Sequence, residues 1–133
     1  MKVQYLYDTN IISEIMRPKP NSGVVHQFTK PQVLGISTVT IEEITFGLNF
    51  KDAHKQMSWF DQLLEQHANI FPVTQEIAIK AGQLRGRFRL KGIQRTQADM
   101  LIASTTICHD LILVTRNIDD FAGCQIKVLN PFD

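Results

Sequence analysis

The sequence predicts an α/β fold: a central, mainly parallel sheet covered by helices on both faces. Three observations carry this. Short strand-forming runs alternate with segments of helical period along the chain. Runs such as "LILVT" are too uniformly apolar for a strand with one wet face, so they read as strands buried on both sides. The length of 133 residues and 44% hydrophobic content suit one globular domain over 1–133, large enough to fold without a disulfide or metal staple.

The elements follow in order. "VQYLYD", residues 3 to 8, reads as a buried strand that ends abruptly in an acid. Residues 10 to 16 form a short helix, stopped by "RPKPN". Asn21 or Ser22 caps a second helix with Val24, Val25 and Phe28 on one face. "VLGIS", 33 to 37, is the next strand. Thr38 or Thr40 caps the helix "IEEITFGLN", where Ile41, Ile44 and Leu48 fall on the inner face. A longer helix spans 54 to 68, with Met57, Phe60, Leu63 and Leu64 on its apolar side, and "NIFPV" is a short strand. "TQEIAIKAGQLRGRFRLKG" runs helical to Gly92, and "TQADMLIASTTICHD" is the last helix. It feeds the strand "LILVT", 111 to 115. A loop, "RNIDDFAGC", leads to a final strand, "QIKVLN".

Composition excludes several classes. No apolar stretch approaches the ~18 residues of a membrane span, and "MKVQYLYDTN" lacks the apolar core of a signal peptide. Cys108 and Cys124 form no CxxC and read as free thiols of a reducing compartment, so a cytoplasmic location is expected. The four histidines are scattered, which rules out zinc spacing and a nucleophile–base pair. There is neither a GxGxxG nor a Walker loop. The net charge of +1 announces no nucleic-acid binder, so any such surface must be local. The candidate is "RGRFRLKGIQR", residues 85 to 95; its plain alternative is a solvated helix end. Phe88 inside it is a stacking platform for a base or a core residue, and core is the favoured reading.

In a parallel sheet, ligands sit outside the carboxyl ends of the strands. Asp8 stands at such an end. Asp99, capped by Thr96 or Gln97, falls at N2 or N3 of the helix before "LILVT", and "TRNIDDF" follows that strand with Asn117, Asp119 and Asp120. Glu43 lies near the inner face of its helix, while Glu42 points outward. Singly, each has an ordinary reading as cap, dipole partner or turn residue. Together Asp8, Asp99 and the 117–120 loop fall at one edge of the sheet, and the repulsion and burial of carboxylates packed there are resolved by a hard divalent cation.

"YLYDTNIISEI", "STVTIEEITFG", "TQADMLIAST" and "LVTRNIDDF", in this order, resemble a PIN domain, and more closely the VapC toxins of bacterial toxin–antitoxin pairs. "DTNIISEIMRPKPN" and "VLNPF" are similar to the FitB-like branch. The resemblance implies a three-layer α/β/α fold and a Mg²⁺-dependent endoribonuclease, with Mn²⁺ as the other candidate metal. It matches Asp8 and Asp99 to the principal metal ligands, and Glu43 to the acid of the motif written here "EITFG". The fourth position is Asn117, after "TR", or Asp120, before Phe121. The implied partners are an RNA substrate, transfer RNA first, a cognate VapB-like antitoxin, and operator DNA through that antitoxin alone. A homodimer is expected, with Met57, Trp59 and Phe60 as apolar candidates for its interface or for the core. Arg85, Arg89 and Arg95 are the expected phosphate contacts. Two other readings compete. One is a catalytically weak module acting as an antitoxin-bound DNA co-repressor, favoured by the neutral Asn117. The other is a phosphotransferase with Asp8 as nucleophile, disfavoured because Asn10 stands where a second acid is wanted.

Overall fold

The computed structural model describes residues 2–133. In chain order the elements are β1 (Tyr5–Tyr7), α1 (Thr9–Ile15), α2 (Ser22–Phe28), β2 (Leu34–Ser37), α3 (Thr38–Phe50), α4 (His54–Gln66) and β3 (Ala68–Phe71). Then come α5 (Gln75–Leu90), α6 (Gln97–Cys108), β4 (Ile112–Val114), a 3-10 turn (Ile118–Phe121) and β5 (Lys127–Leu129). The sheet has five strands in the order β3-β2-β1-β4-β5. Every pairing is parallel, so the mainly parallel sheet of the sequence reading is wholly parallel.

Alternation along the strands builds two cores, because successive side chains point to opposite faces. Leu6 and Leu113 face one way and pack with Ala81, Leu84, Phe88, Met100, Ile102 and Ala103 of α5 and α6. Their neighbours Tyr7 and Val114 face the other way, against Ile11, Ile12, Val24, Ile44, Leu48, Phe60 and Leu63 of α1 to α4. Helices therefore cover both faces, giving the three-layer α/β/α arrangement. Phe60 belongs to this second core, with Met57 and Trp59 half-buried against it. The exposed large apolar side chains lie elsewhere: Phe46, Phe50 and Leu90 are 66%, 81% and 88% exposed. Among the described residues, no helix is long and apolar enough to cross a membrane.

Most helix starts carry a side-chain cap. Asn21 Oδ1 accepts from the Gly23 and Val24 amides, Thr74 from Ile77, and Thr96 from Asp99. Helix α3 departs from expectation. Its cap is Ser37, the last residue of β2, whose hydroxyl accepts from the Val39 amide at 3.0 Å. The helix thus begins at Thr38, three residues earlier than predicted. The β-branched run "TVT" hides it, since such residues favour extended chain. The loop 118–121 is a 3-10 turn, and the long last strand shrinks to three residues.

Three helices close alike. The Gly92 amide donates to Arg89 O and the Ile93 amide to Phe88 O, the paired bonds of a Schellman motif, with Gly92 at φ +78°. The same pair ends α3 at Asp52 and α6 at Asp110, both non-glycine residues at positive φ.

Candidate active site

The strand order reverses direction between β1 and β4, which opens a crevice at their carboxyl ends. Asp8 directly follows β1, and Thr115 directly follows β4. The Asp8 amide donates to Val114 O at 3.0 Å, so the sheet ladder continues to the acid itself. Asp8 is only 6% exposed. It is a helix cap: Oδ1 accepts from the Thr9 amide at 2.8 Å. Its other oxygen, Oδ2, accepts from Thr115 Oγ1 at 2.9 Å and Asn10 Nδ2 at 3.2 Å. Asn10 ties the two strand ends together, because its Oδ1 also accepts from the Arg116 amide at 2.9 Å. A cap alone needs neither this burial nor this second set of donors.

The other acids come from separate elements. Glu43, on α3, is half-buried while Glu42 is exposed, as helical phase predicts. Thr9 Oγ1 donates to Glu43 Oε1 at 2.6 Å, which couples the residue after Asp8 to α3. Asp99 is N3 of α6, behind the Thr96 cap, and is half-buried. Asn117, Asp119 and Asp120 are exposed on the 3-10 turn and its approach.

Electrostatics show how close the acids stand. Burial pushes the Asp8 carboxyl up to about 6; the Thr115 and Thr9 donors oppose this, while Asp99 and Glu43 push further up. Asp99 is also raised, mainly by burial, with Asp120 and Glu43 adding to it and the Thr96 hydroxyl and Arg95 opposing. Asp99 and Glu43 thus act on Asp8, and Asp120 and Glu43 act on Asp99. The Asn117 amide donates to Thr115 Oγ1 at 3.1 Å, which fixes the chain after β4.

The donors are carboxylate and hydroxyl oxygens, the set a hard cation takes. Among the described residues, no three His, Cys, Asp or Glu side chains close a ready-made cage. Mg²⁺ commonly binds through one or two carboxylates, with waters and substrate phosphate completing its shell.

The basic run divides. Arg85 and Arg89 share a face of α5 with Gly82 and Gly86 and line a cavity of about 330 Å³ that Arg95 also borders. No acid stands between Glu76 and Asp99 in sequence, and neither Arg85 nor Arg89 has a carboxylate partner among the described residues. Phe88 is buried, as its sequence context predicts. Arg95 is not free: both terminal nitrogens are bonded to backbone carbonyls of the 118–122 segment.

Sequence reasoning missed Asn10 and Thr115 as partners of Asp8, and Thr9 as partner of Glu43. The "DTN" stretch held the signal for two of them, since three polar residues interrupt an apolar run. It also missed Glu14, buried in α1, which accepts from the Asn21 amide at 2.8 Å and closes the "RPKPN" turn.

Comparison with known proteins adds three findings. The PIN domain family model matches residues 5–123. The toxin FitB of Neisseria gonorrhoeae is 30% identical, over 96% of this chain and 97% of FitB, and the VapC ribonuclease Y4jK of Sinorhizobium fredii is 25% identical, over 95% and 96%. The crystal structure of VapBC2 from Rickettsia felis, bound to a DNA fragment from their promoter, contains a chain that superposes with a TM-score of 0.83 at 25% identity, covering 98% of this chain and 100% of that one.

Proposed function

The chain belongs to the PIN domain family, and from that premise we propose that it is a divalent-metal-dependent endoribonuclease, the toxin of a VapBC-type pair. The observation that carries the reading is the convergence of Asp8, Glu43 and Asp99, from three separate elements, on the crevice between β1 and β4. A buried Asp8 surrounded by like charges is costly to ionise without a cation. The names of the relatives, a toxin and a ribonuclease, support the same reading.

In this reading Asp8 and Asp99 would hold Mg²⁺ or Mn²⁺, and Asp120, whose charge already acts on Asp99, would support them from the 3-10 turn. When bound there, such a cation would supply Lewis-acid stabilisation of the charge that develops on the phosphoryl oxygens. Asn10 and Thr115 keep Asp8 in one rotamer. Glu43, oriented by the Thr9 hydroxyl, positions the attacking water and accepts its proton. Water attacks phosphorus in line as the P–O3′ bond breaks, and the departing 3′ oxygen takes a proton from solvent, leaving a 5′-phosphate and a 3′-hydroxyl. Arg85 and Arg89 hold backbone phosphates beside the scissile bond. The expected cellular setting is cytoplasmic, as a homodimer under a VapB-like antitoxin that brings it to operator DNA.

Cleavage of total transfer RNA by antitoxin-free protein tests this, with Mg²⁺, Mn²⁺ and EDTA compared and Asp8→Asn alongside. Discrete cuts that need metal and vanish in Asp8→Asn are expected, and 2′,3′-cyclic phosphate ends would refute the metal–water scheme. A second reading, an antitoxin-bound co-repressor with weak catalysis, is favoured by the neutral, exposed Asn117 after "TR". No cleavage of any RNA by folded, metal-loaded protein would select it.

A further inference from the structure

We propose that Arg95 is a positioning residue: it pins the turn that carries Asp120 against the helix start that carries Asp99, and so sets the gap between these two carboxylates. The inference rests on the nuclease reading of the site. Arg95 directly precedes Thr96, the cap of α6, and Asp99 follows three residues after the cap. From there its guanidinium crosses to the 118–122 segment. Nη1 donates to Asp119 O at 2.9 Å and Nη2 to Ala122 O at 2.7 Å, so one planar group holds the carbonyls on either side of Asp120 and Phe121.

The turn needs this hold. Its N-cap, Asn117, makes no side-chain capping bond, and residues 116 to 120 are all exposed. Phe121 is its one buried side chain, in the same core as Phe88. The Arg95 guanidinium lies 4.5 Å from the centroid of the Phe88 ring, which fixes its plane. Just past the turn, Gly123 at φ +83° lets the chain pass the same ring, where a Cβ would come within 3.2 Å. Arg95 Nε is buried with no partner among the described residues. The pose is held by the two terminal nitrogens and the Phe88 ring. Lysine cannot hold two carbonyls in one plane, so the choice of arginine is explained.

The test uses the full chain, free of antitoxin and RNA. In Arg95→Ala, exchange of the Asp120 and Ala122 amides is expected to accelerate while the β1 and β4 amides stay protected. Mn²⁺ affinity, read from the electron spin resonance of free Mn²⁺, is expected to fall about tenfold, the usual scale for losing a group that orients a metal ligand. Asp120→Ala should cost a similar factor, and Arg95→Ala combined with Asp120→Ala no more than Asp120→Ala alone. Arg95→Lys, which keeps the charge and one bond, should fall between and supplies every readout if the alanine variant does not fold. Unchanged Mn²⁺ affinity together with unchanged amide protection in either variant would overturn the proposal. So would full additivity of the two substitutions, or a weaker RNA affinity with a flatter salt slope as the only effect, which would make Arg95 a phosphate contact. The nuclease reading fails by a different sign, Mn²⁺ binding that survives Asp8→Asn, and amide exchange needs no metal.

Discussion

At the residue scale, Asp8 carries the largest consequence. Its carboxyl is raised from 3.8 to about 6 in the folded chain, chiefly by burial. The sign follows from linkage: the folded state binds this proton more tightly than the unfolded one. The contribution is therefore fully present below about pH 4 and lost as pH rises through about 6. Metal-free protein should gain stability on mild acidification from pH 7.5 to 5, as far as Asp8 governs it. Asp8→Asn removes the buried charge but keeps an oxygen for the Thr9 amide. Thermal melts at pH 7.5 without metal should show it more stable than the unaltered chain, by on the order of 1–2 kcal/mol at a full pKa unit or more of shift, with the advantage gone near pH 4. A variant that melts lower at both pH values would mean that its bonds to Asn10 and Thr115 outweigh the buried charge. Glu43 depends on a neighbour too. Thr9→Val removes the 2.6 Å bond while keeping shape, and kcat should drop about tenfold or more with RNA affinity unchanged. Equal kcat would remove Thr9 from the site. Which residue pairs with which is illegible from sequence for a physical reason, even where "DTN" marks polar residues at the strand end. Asp8 and Asp99 announce themselves by residue type at a strand end and a helix start. The Thr9–Glu43 and Asp8–Thr115 pairs span 34 and 107 residues and exist only once the sheet has formed.

At the element scale, the ends of the helices explain both what was readable and what was not. Caps of the Asn21 and Thr96 kind stand next to helix-period segments, and the sequence names them or their immediate neighbours. Ser37 was missed because it ends a strand and starts a helix with no loop between, so the two signals overlap. The Schellman ends at Asp52 and Asp110 were missed because the residue at the left-handed position is usually glycine. Asp110, at φ 51°, is doubly unfavourable. A side chain in that region carries strain, and its negative charge meets the negative end of the α6 dipole. Asp110→Gly should therefore stabilise the chain by about 0.5–1 kcal/mol after the entropy glycine adds to the unfolded state. Urea unfolding gives the comparison directly. A loss of stability would indicate that the Asp110 side chain contributes more than the turn it strains.

At the scale of the whole molecule, charge is segregated in a way the net value of +1 conceals. The acids converge on the β1–β4 crevice, and a segment without any acid, Ile77 to Ala98, lies beside it and carries Arg85 and Arg89 into a shared cavity. On charge alone the sequence favours a solvated helix end over a binding surface for that segment. Folding adds two facts: the two arginines line one cavity with no carboxylate partner among the described residues, and Arg95 joins that cavity's wall to the turn bearing Asp120. A polyanion lying across the crevice would thus meet repulsion at the acids and attraction at their flank, and a divalent cation is what makes the central contact favourable. Phosphate contacts release counterions, so each one adds about 0.7 to the slope of log K against log salt for single strands. Arg85→Ala combined with Arg89→Ala should weaken RNA binding and lower that slope by about 1.4 if each holds one phosphate. Amide exchange around Asp120 should stay as it was, since among the described residues the turn is hydrogen-bonded by Arg95 and by neither of these arginines. The slope separates this from a general loss of positive charge: substituting Lys55 and Lys19, which lie far from the cavity in sequence and line none of it, should leave it unchanged. An unaltered slope in the arginine double variant would return the α5 face to solvent and leave the acids to bind RNA through metal alone.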